Sequence, residues 1–355
     1  MSKGFEIDFL PVGENSCSGD AICVRYGSPE TGFTINIVDG GYASTTETII
    51  EHLNNHYGRP RRIHNVVLTH ADRDHAAGLI GILEQYDVGA LWMNRPWLYA
   101  EQIIHHFHGN WTIPGLVSHL RDEFDKLVEL ESIAIRKGIP IYEPLQGAQI
   151  GEFVVLAPSR ERYVSLIPDL DKAPQTYTET ALDWFVEFAK KAVAFVRETW
   201  TGETLSDNPE QTSASNESSV VQAALIDEKL IVLTGDTGPD GLTEAAEYLA
   251  RLGSFQPHFF QVPHHGSRRN VTPTALNRWL GAPLADPSQS RGVAYCSAAA
   301  EDEDHPRKKV VNAFIRRGYP VHTTNGVAKC HRNNMPMRLN WGSSIAEPFS
   351  WEVEE

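Results

Sequence analysis

Cysteine is scarce in this 355-residue chain, which has four copies and no CxxC pair. The four are Cys17, Cys23, Cys296 and Cys330. Because they are scattered, neither a disulfide framework nor a thiolate zinc site is expected, and we predict free thiols.

Long apolar runs are also lacking. Nothing in the sequence approaches the roughly 18 consecutive apolar residues of a membrane span. The first residues, MSKGFEIDFLPVGENS, alternate polar and apolar side chains without the apolar core of a signal peptide. We therefore expect a cytoplasmic protein that makes no membrane contact. A hydrophobic content of 41% is enough for a sizeable core.

Positive charge is in short supply. Lysine and arginine number 31 against 46 acidic residues, which gives a formal net charge of −15. This balance argues against broad electrostatic capture of nucleic acid, which usually requires a basic surface. The local exceptions are Arg59, Arg61 and Arg62, Arg268 and Arg269, and Arg307, Lys308 and Lys309. They are either solvated faces or phosphate contacts, since each cluster lies beside candidate metal ligands.

The most informative stretch is 63–79, which reads IHNVVLTHADRDHAAGL. An apolar run that favours a buried strand precedes four side chains able to bind metal, and small residues that favour a helix start follow. The four are His70, Asp72, Asp74 and His75. Imidazole with carboxylate suits zinc, manganese or iron rather than calcium. Helix capping is the simpler alternative, but it accounts for only one aspartate.

Two later strands end in the same way. The strand predicted at Lys229–Leu233 runs into Thr-Gly-Asp236, and the strand predicted at His258–Val262 runs into Pro-His264-His265-Gly-Ser. A third candidate, His305, precedes a helix predicted from Pro306 to Arg317. Polar ligand types at successive strand ends are expected to meet in one site.

The remaining pattern alternates strands and helices. The start predicts a three-stranded meander, followed by a helix with a capping box at Ser44 and Glu47. Residues 96–137 are predicted to be helical with a break near Pro114. A further helix is predicted from Thr178 to Trp200, whose aromatic stripe favours a core face, a lid over the site or a subunit contact. The polar stretch 201–217 is predicted to be a flexible loop.

Together, THADRDH, LTGDTG and VPHHGS in that order resemble the metallo-β-lactamase superfamily, and most closely the hydrolase domain of the ComEC type involved in DNA uptake. Supporting matches include Asp20, the VDGG turn at 38–41, Asn216 and His305. The resemblance implies an α/β fold, the αββα four-layer sandwich of two mixed β-sheets flanked by helices. We expect one such domain over 1–355, with a helical insertion at about 160–217 and a C-terminal extension at about 327–355. A homo-oligomer is left open.

The resemblance also implies roles. The metal ligands would be His70, Asp72, Asp74, His75, Asp236 and His265. Asp236 would bridge two ions, and His265 is favoured over His264 as the last ligand. Asp74 would orient the attacking hydroxide, while His264 and His305 would act on the substrate. Ser267 and Arg268 would bind it.

Two departures from the family pattern bear on the metal. Asp72 stands where the commoner pattern has a second histidine, and a carboxylate there favours manganese. A further histidine of the family has no counterpart near Pro158 and Ser159. We therefore expect one or two divalent ions, Zn²⁺ or Mn²⁺, with the firmer site at Asp74, His75, Asp236 and His265.

Metal-assisted hydrolysis is the function that the residues predict, and the resemblance adds the substrate class. The leading hypothesis is a phosphodiesterase or nuclease that acts on DNA or a nucleotide. A basic groove would favour nucleic acid. The alternative is a hydrolase of a small ester, lactone or phosphocholine-type substrate, favoured by an apolar pocket roofed by Trp184 and Phe185. A metal-stabilised scaffold without activity is the third hypothesis.

Overall fold

Alternating and continuous apolar runs form strands in this protein, and apolar residues at three- and four-residue steps form its helices. The structure is a computed structural model that describes residues 3–13, 17–170 and 195–354. Its described strands are β1 (Gly4–Phe9), β2 (Ala21–Ser28), β3 (Gly32–Gly40), β4 (Arg62–Val67), β5 (Asp87–Trp92), β6 (Ile141–Tyr142), β7 (Gln149–Ile150), β8 (Phe153–Ala157), β9 (Phe195–Arg197), β10 (Val221–Ile226), β11 (Lys229–Leu233), β12 (Pro257–Gln261), β13 (Val293–Cys296), β14 (Val321–Thr323), β15 (Lys329–Asn333) and β16 (Glu352–Glu354).

Helices connect and cover these strands. The described α-helices are α1 (Thr45–His56), α2 (Arg73–Ala76), α3 (Leu79–Gln85), α4 (Ala100–Ile103), α5 (Ile113–Glu123), α6 (Asp125–Lys137), α7 (Arg160–Leu166), α8 (Ala214–Glu217), α9 (Pro239–Leu252), α10 (Pro273–Leu280) and α11 (Lys308–Arg316). Among the described residues, no helix is both long and apolar enough to cross a membrane.

The strands form two mixed sheets of seven. The first has the order β15-β1-β2-β3-β4-β5-β6, and the second has the order β14-β13-β12-β11-β10-β8-β7. In the first sheet, β3 to β6 are parallel, and in the second β11 to β14 are parallel. A small separate ladder pairs β9 with β16.

The two sheets pack face to face. Phe9 of β1 packs against Phe259 of β12 and Tyr295 of β13, with ring centroids 5.9 and 5.7 Å apart. Outside the first sheet, α1, α3, α5 and α6 bury a second apolar cluster, and α9, α10 and α11 bury a third outside the second sheet. The αββα sandwich predicted from the sequence is therefore confirmed.

Three of four local predictions differ from the structure. Ser44 precedes α1 as expected, but its side chain makes no capping bond. The helical break predicted near Pro114 lies just before it, at 107–112, and Pro114 itself lies in the first turn of α5, where its missing N–H has no cost. Most of the predicted helix 178–200 lies outside the described residues. Its last part, 195–197, is strand β9, because it pairs with the C-terminal β16. The predicted loop 201–217 ends in the short helix α8.

Parallel strands position the site. The carboxyl ends of β3 and β4 in one sheet, and of β11 to β13 in the other, meet at one edge of the sandwich. At this edge the backbone N–H of Val220 donates to the carbonyl of Thr69, and that of Asp20 donates to the carbonyl of Asp74. Loops from both sheets are thus tied together where the candidate ligands follow the strands.

Candidate metal centre

The HADRDH loop follows β4 and turns its side chains towards one another. His70 Nδ1 lies 3.0 Å from the hydroxyl of Thr69, and its Nε2 lies 3.5 Å from a carboxylate oxygen of Asp72. Asp72 occupies the residue before α2, yet its side chain makes no capping bond. The carboxylate is directed at His70, so helix capping does not explain this loop.

Asp236 and His265 reach the same loop from the second sheet. Asp236 Oδ2 lies 3.4 Å from His75 Nε2 and 3.7 Å from His265 Nε2. Two sets of donor atoms that lie within 4.8 Å of one another combine the predicted ligands: those of His70, His75 and Asp236, and those of Asp74, His75 and His265. A third set joins His75 to Asp20 and Asp39. The three strand-end clusters therefore converge, as the metal hypothesis requires.

The chemistry of the donor atoms fits a cation. His70 Nε2, His75 Nε2, His265 Nε2 and Asp236 Oδ1 are all buried and have no hydrogen-bond partner among the described residues. Leaving buried polar atoms unpaired is costly, and such atoms are rare in folded proteins. Four such atoms in neighbouring residues, each a nitrogen or oxygen that zinc and manganese accept, indicate a metal site.

Each buried histidine is held through its other nitrogen. His75 Nδ1 lies 2.8 Å from a carboxylate oxygen of Asp39, which also accepts from the hydroxyl of Thr69. His265 Nδ1 lies 3.2 Å from the carbonyl oxygen of Ser297. Because a carboxylate or carbonyl can only accept, Nδ1 carries the hydrogen in both rings and Nε2 is left to bind the ion.

Burial and neighbouring charges set the protonation states of His75, Asp236 and His265. Burial lowers the pKa of His265 to about 4, only partly opposed by Asp236, so its ring is neutral at neutral pH. Burial also opposes the charged form of His75, but the surrounding carboxylates outweigh it, Asp236 first, and hold the pKa of His75 well above its ordinary value. Burial would raise the pKa of Asp236, but His75, His264 and His265 hold it well below its usual range. The protonated ring of His75 here stands in for part of a cation's charge.

Three residues of the site have unusual backbone conformations. Asp39, His264 and His265 have φ angles of 57°, 45° and 55°, in the left-handed region that residues with a side chain rarely adopt. Gly266 follows with φ of 82°, and a Cβ there would lie 2.4 Å from Cβ of Pro306. Such backbone conformations persist only where surrounding contacts enforce them, and they cluster at functional sites.

An open cleft of about 500 Å³ leads to the metal ligands. Asp74 and His265 lie in its wall, together with His264 and His305. His264 Nε2 is 3.8 Å from Asp236, and its Nδ1 lies 2.9 Å from Asn270 Oδ1. His264 thus stands beside the ligands but is half-exposed and anchored to a neutral amide, which favours His265 as the ligand.

Two predicted substrate residues lie elsewhere. Ser267 is buried and its hydroxyl accepts from the backbone N–H of Arg269. Arg268 lines a separate cleft of about 240 Å³ with Arg269 and Lys309. Neither side chain lines the cleft that holds Asp74, so their assignment as substrate contacts remains a prediction.

The structure places no ligand at the position where the family's further histidine was sought. The hydroxyl of Ser159 accepts from the N–H of Arg162 at the start of α7, and its own N–H donates to Glu244. Ser159 therefore caps α7 and is not a metal ligand. The His70 side of the site, with His75 and Asp236, and the side formed by Asp74, His75 and His265 each bring three residues together.

Several residues of the site were not assigned roles from the sequence. Asp20 lies beneath His75, where burial raises its pKa to about 7, and its carboxylate accepts from Gln261 at 2.7 Å. Asn270 donates to the backbone carbonyl of Asp236 at 2.7 Å while its oxygen faces His264. The available signals were the family matches at Asp20 and at the DGG turn containing Asp39, which ends a strand next to the ligand loop.

Comparison with known proteins finds a family model that matches part of the chain. The model of the metallo-beta-lactamase superfamily matches residues 24–147, the part of the chain that contains the HADRDH loop. The chain contains a metallo-beta-lactamase superfamily domain. Most members of this superfamily are metal-dependent hydrolases, and they bind divalent ions, often one or two zinc ions. The donor set found here agrees with that class. No curated protein matches the chain.

Several solved structures are similar to the chain at a low level. A hydrolase of the beta-lactamase superfamily is 13% identical with a TM-score of 0.32, covering 61% of this chain and 56% of its own. A metallo-beta-lactamase mutant from Cronobacter sakazakii is 13% identical with a TM-score of 0.30, covering 70% and 73%. A diiron beta-hydroxylase from Streptomyces venezuelae is 11% identical with a TM-score of 0.35, covering 90% and 44%. The chain spans little more than half of the first protein, and at these scores no argument about activity follows.

Proposed function

We propose that this protein is a metal-dependent phosphodiesterase that acts on a small diester. The observation that carries this proposal is the set of four buried, unpartnered donor atoms next to an open cleft that also contains His264 and His305. Such a site leaves room for a substrate beside the ion, unlike a closed structural site.

Asp74, His75, Asp236 and His265 would hold the ion, and His70 with Asp72 would support a second. A divalent ion bound there supplies a Lewis acid that lowers the pKa of a water and polarises a phosphoryl oxygen. Asp74 is partly exposed in the cleft and would orient the attacking water. Asn270 holds His264 so that the ring can contact a phosphoryl oxygen.

The charge of the cleft favours a small substrate over DNA. Its wall includes the acidic run Glu301, Asp302, Glu303 and Asp304, and none of the described residues that line it is lysine or arginine. A long polyanion would be repelled along such a wall, whereas a single phosphodiester needs only the ion and its neighbouring histidines. DNA uptake chemistry of the ComEC type and a preference for manganese remain predictions.

A phosphocholine-type diester is the second candidate, and the same acidic wall favours it. A quaternary ammonium group near the scissile phosphate would be attracted by carboxylates that repel a nucleotide chain. The aromatic roof considered for a small substrate, Trp184 and Phe185, lies outside the described residues.

The test begins with protein stripped by a chelator and reloaded with zinc or manganese. It should cleave bis(p-nitrophenyl) phosphate only when reloaded, and Asp74→Ala should lose that activity while keeping its fold. Asp87→Asn, which alters an exposed ion pair with Arg62, is the matched control and should retain it. Activity confined to carboxylic esters would contradict the proposal.

A second comparison separates the two substrates. The p-nitrophenyl phosphodiesters of choline and of 3,3-dimethylbutanol have the same shape but differ by one positive charge. Faster cleavage of the choline diester would support the second candidate, and equal rates would remove it. Cleavage of single-stranded DNA in preference to both would restore the nuclease hypothesis.

A further inference from the structure

The carboxylate of Asp302 is held in one position in the wall of the metal cleft. Its side chain is only 6% exposed, and it accepts from the hydroxyl of Ser18 at 2.7 Å. It also accepts from the backbone N–H groups of Asp304 and His305, each at 3.0 Å. The Ser18 hydroxyl is held in turn by the N–H of Ala299. These bonds leave the Asp302 carboxylate little freedom to move.

This carboxylate fixes the orientation of His305. His305 Nδ1 lies 3.2 Å from Asp302 Oδ2. Burial would raise the pKa of Asp302, but the bonds from Ser18 and His305 hold it below its usual value, so the group is ionised at neutral pH. An ionised carboxylate only accepts, so Nδ1 carries the hydrogen. Burial lowers the pKa of His305, only partly opposed by Asp302, so Nε2 is unprotonated in most molecules at neutral pH and gains its proton from solvent in the open cleft. Nε2 is the remaining nitrogen of a ring that lines the cleft and is 28% exposed, and no described residue is bonded to it.

The position of His305 relative to the metal ligands is also fixed. The N–H of Arg307 donates to the carbonyl of Gly266, the residue after His265. Pro306 packs so closely on Gly266 that even a methyl group there would collide with it. The segment that carries His305 and the turn that carries His265 therefore form one packed unit.

Resting on the proposed function, we propose that His305 Nε2 donates the proton to the leaving oxygen of the phosphodiester, with Asp302 and Ser18 as positioning residues. A water oxygen bonds to phosphorus while the bond from phosphorus to the leaving oxygen breaks. The electron pair of that bond stays on the leaving oxygen, which takes the Nε2 proton of the protonated ring. The ring regains a proton from solvent through the open cleft, and the attacking water loses one to solvent, so the exchange is balanced.

A proton donor to the leaving group has a distinctive signature. Nitrophenolate leaves without a proton, whereas phenolate or an alkoxide needs one. The experiment therefore compares kcat for methyl p-nitrophenyl phosphate and methyl phenyl phosphate in the metal-loaded full chain. His305→Gln should lose about 100-fold on the phenyl ester but less than about 5-fold on the nitrophenyl ester. Asp302→Asn should show the same selectivity with a loss of about 10-fold on the phenyl ester.

A matched control lies in the same acidic run. Glu303→Gln removes the same charge as Asp302→Asn but has no bond to His305, so it should change the rates on both esters by the same factor. Ser18→Ala removes a hydrogen bond to Asp302 without altering a charge. It should lower kcat by a smaller factor, and again only on the phenyl ester. Elemental analysis of each variant should give the metal content of the wild type.

The outcomes separate the two proposals. If wild-type protein cleaves neither ester with any metal, the proposed function fails and this inference fails with it. If the wild type cleaves both but His305→Gln slows them equally, only the inference is overturned. If Asp302→Asn does not fold, His305→Gln and Ser18→Ala decide the matter by the same comparison.

Discussion

Asp39 holds the ring of His75 through a 2.8 Å contact between Oδ2 and Nδ1. The same carboxylate accepts from both the N–H and the hydroxyl of Thr69, so its position is set by the strand ends of β3 and β4. A carboxylate behind a ligating histidine fixes the ring and makes its free nitrogen a better ligand. The candidate metal site therefore depends on Asp39 for the orientation of His75.

Replacing Asp39 tests that dependence. Asp39→Asn keeps the size of the side chain but removes its charge, and should weaken metal affinity by about 10- to 100-fold. Competition with a fluorescent chelator measures the affinity, and circular dichroism verifies the fold. Asp87→Asn makes the same chemical change at an exposed ion pair and should bind metal like the wild type. Equal affinities in the two variants would show that Asp39 has no role in the site.

A second prediction concerns the C-terminal segment. Arg338 is almost fully buried and contacts both Asp8 and Glu6, at 2.6 and 3.0 Å. Arg338→Met would leave two buried carboxylates without this partner, which should lower the free energy of unfolding by about 3–5 kcal/mol. Urea denaturation measures the change. Arg62→Met, at an exposed pair, should cost less than about 1 kcal/mol. A small effect at Arg338 would mean that its segment does not dock on β1.

The dependence of stability on pH follows from Asp8. Burial would raise its pKa, but the neighbouring His52 and Arg338 outweigh burial and hold the pKa well below its usual value. A carboxyl with a depressed pKa in the folded state stabilises the protein above its unfolded pKa of about 3.9 and loses that contribution as the pH falls further.

Stability at pH 3 should therefore be lower than at pH 6, and Asp8→Asn should reduce the difference. Urea denaturation at both values measures it in the metal-free protein, so that loss of the ion does not contribute. A wild type and an Asp8→Asn variant with the same slope against pH would contradict this assignment.

The ligand clusters could be predicted from the sequence because they are local signals, and the sandwich was implied by the family resemblance that those clusters carry. Apolar strands that end in HADRDH, GD and HHGS can be recognised within a few residues each, and parallel strands bring their ends together. Helix 178–200 was predicted from the same kind of signal. At 195–197 a pairing with β16, more than 150 residues away, prevailed over local helical spacing.

Contacts between distant residues could not be predicted. Ser18 and Asp302 are 284 positions apart, and Asp8 and Arg338 are 330 apart, so no local pattern indicates either pair. Asp302 is one of four consecutive acidic residues in the sequence, and its burial distinguishes it only in the folded protein. The acidic wall of the cleft, which favours a small substrate over DNA, emerged in the same way.

The most direct test is the metal content of protein purified without added metal or chelator, measured by elemental analysis for the wild type and for His265→Ala. Our account predicts at least one divalent ion per wild-type chain and a clear loss of that ion in a folded His265→Ala variant. A wild type without bound metal that also takes up none on titration, or a variant that retains the full content, would contradict it.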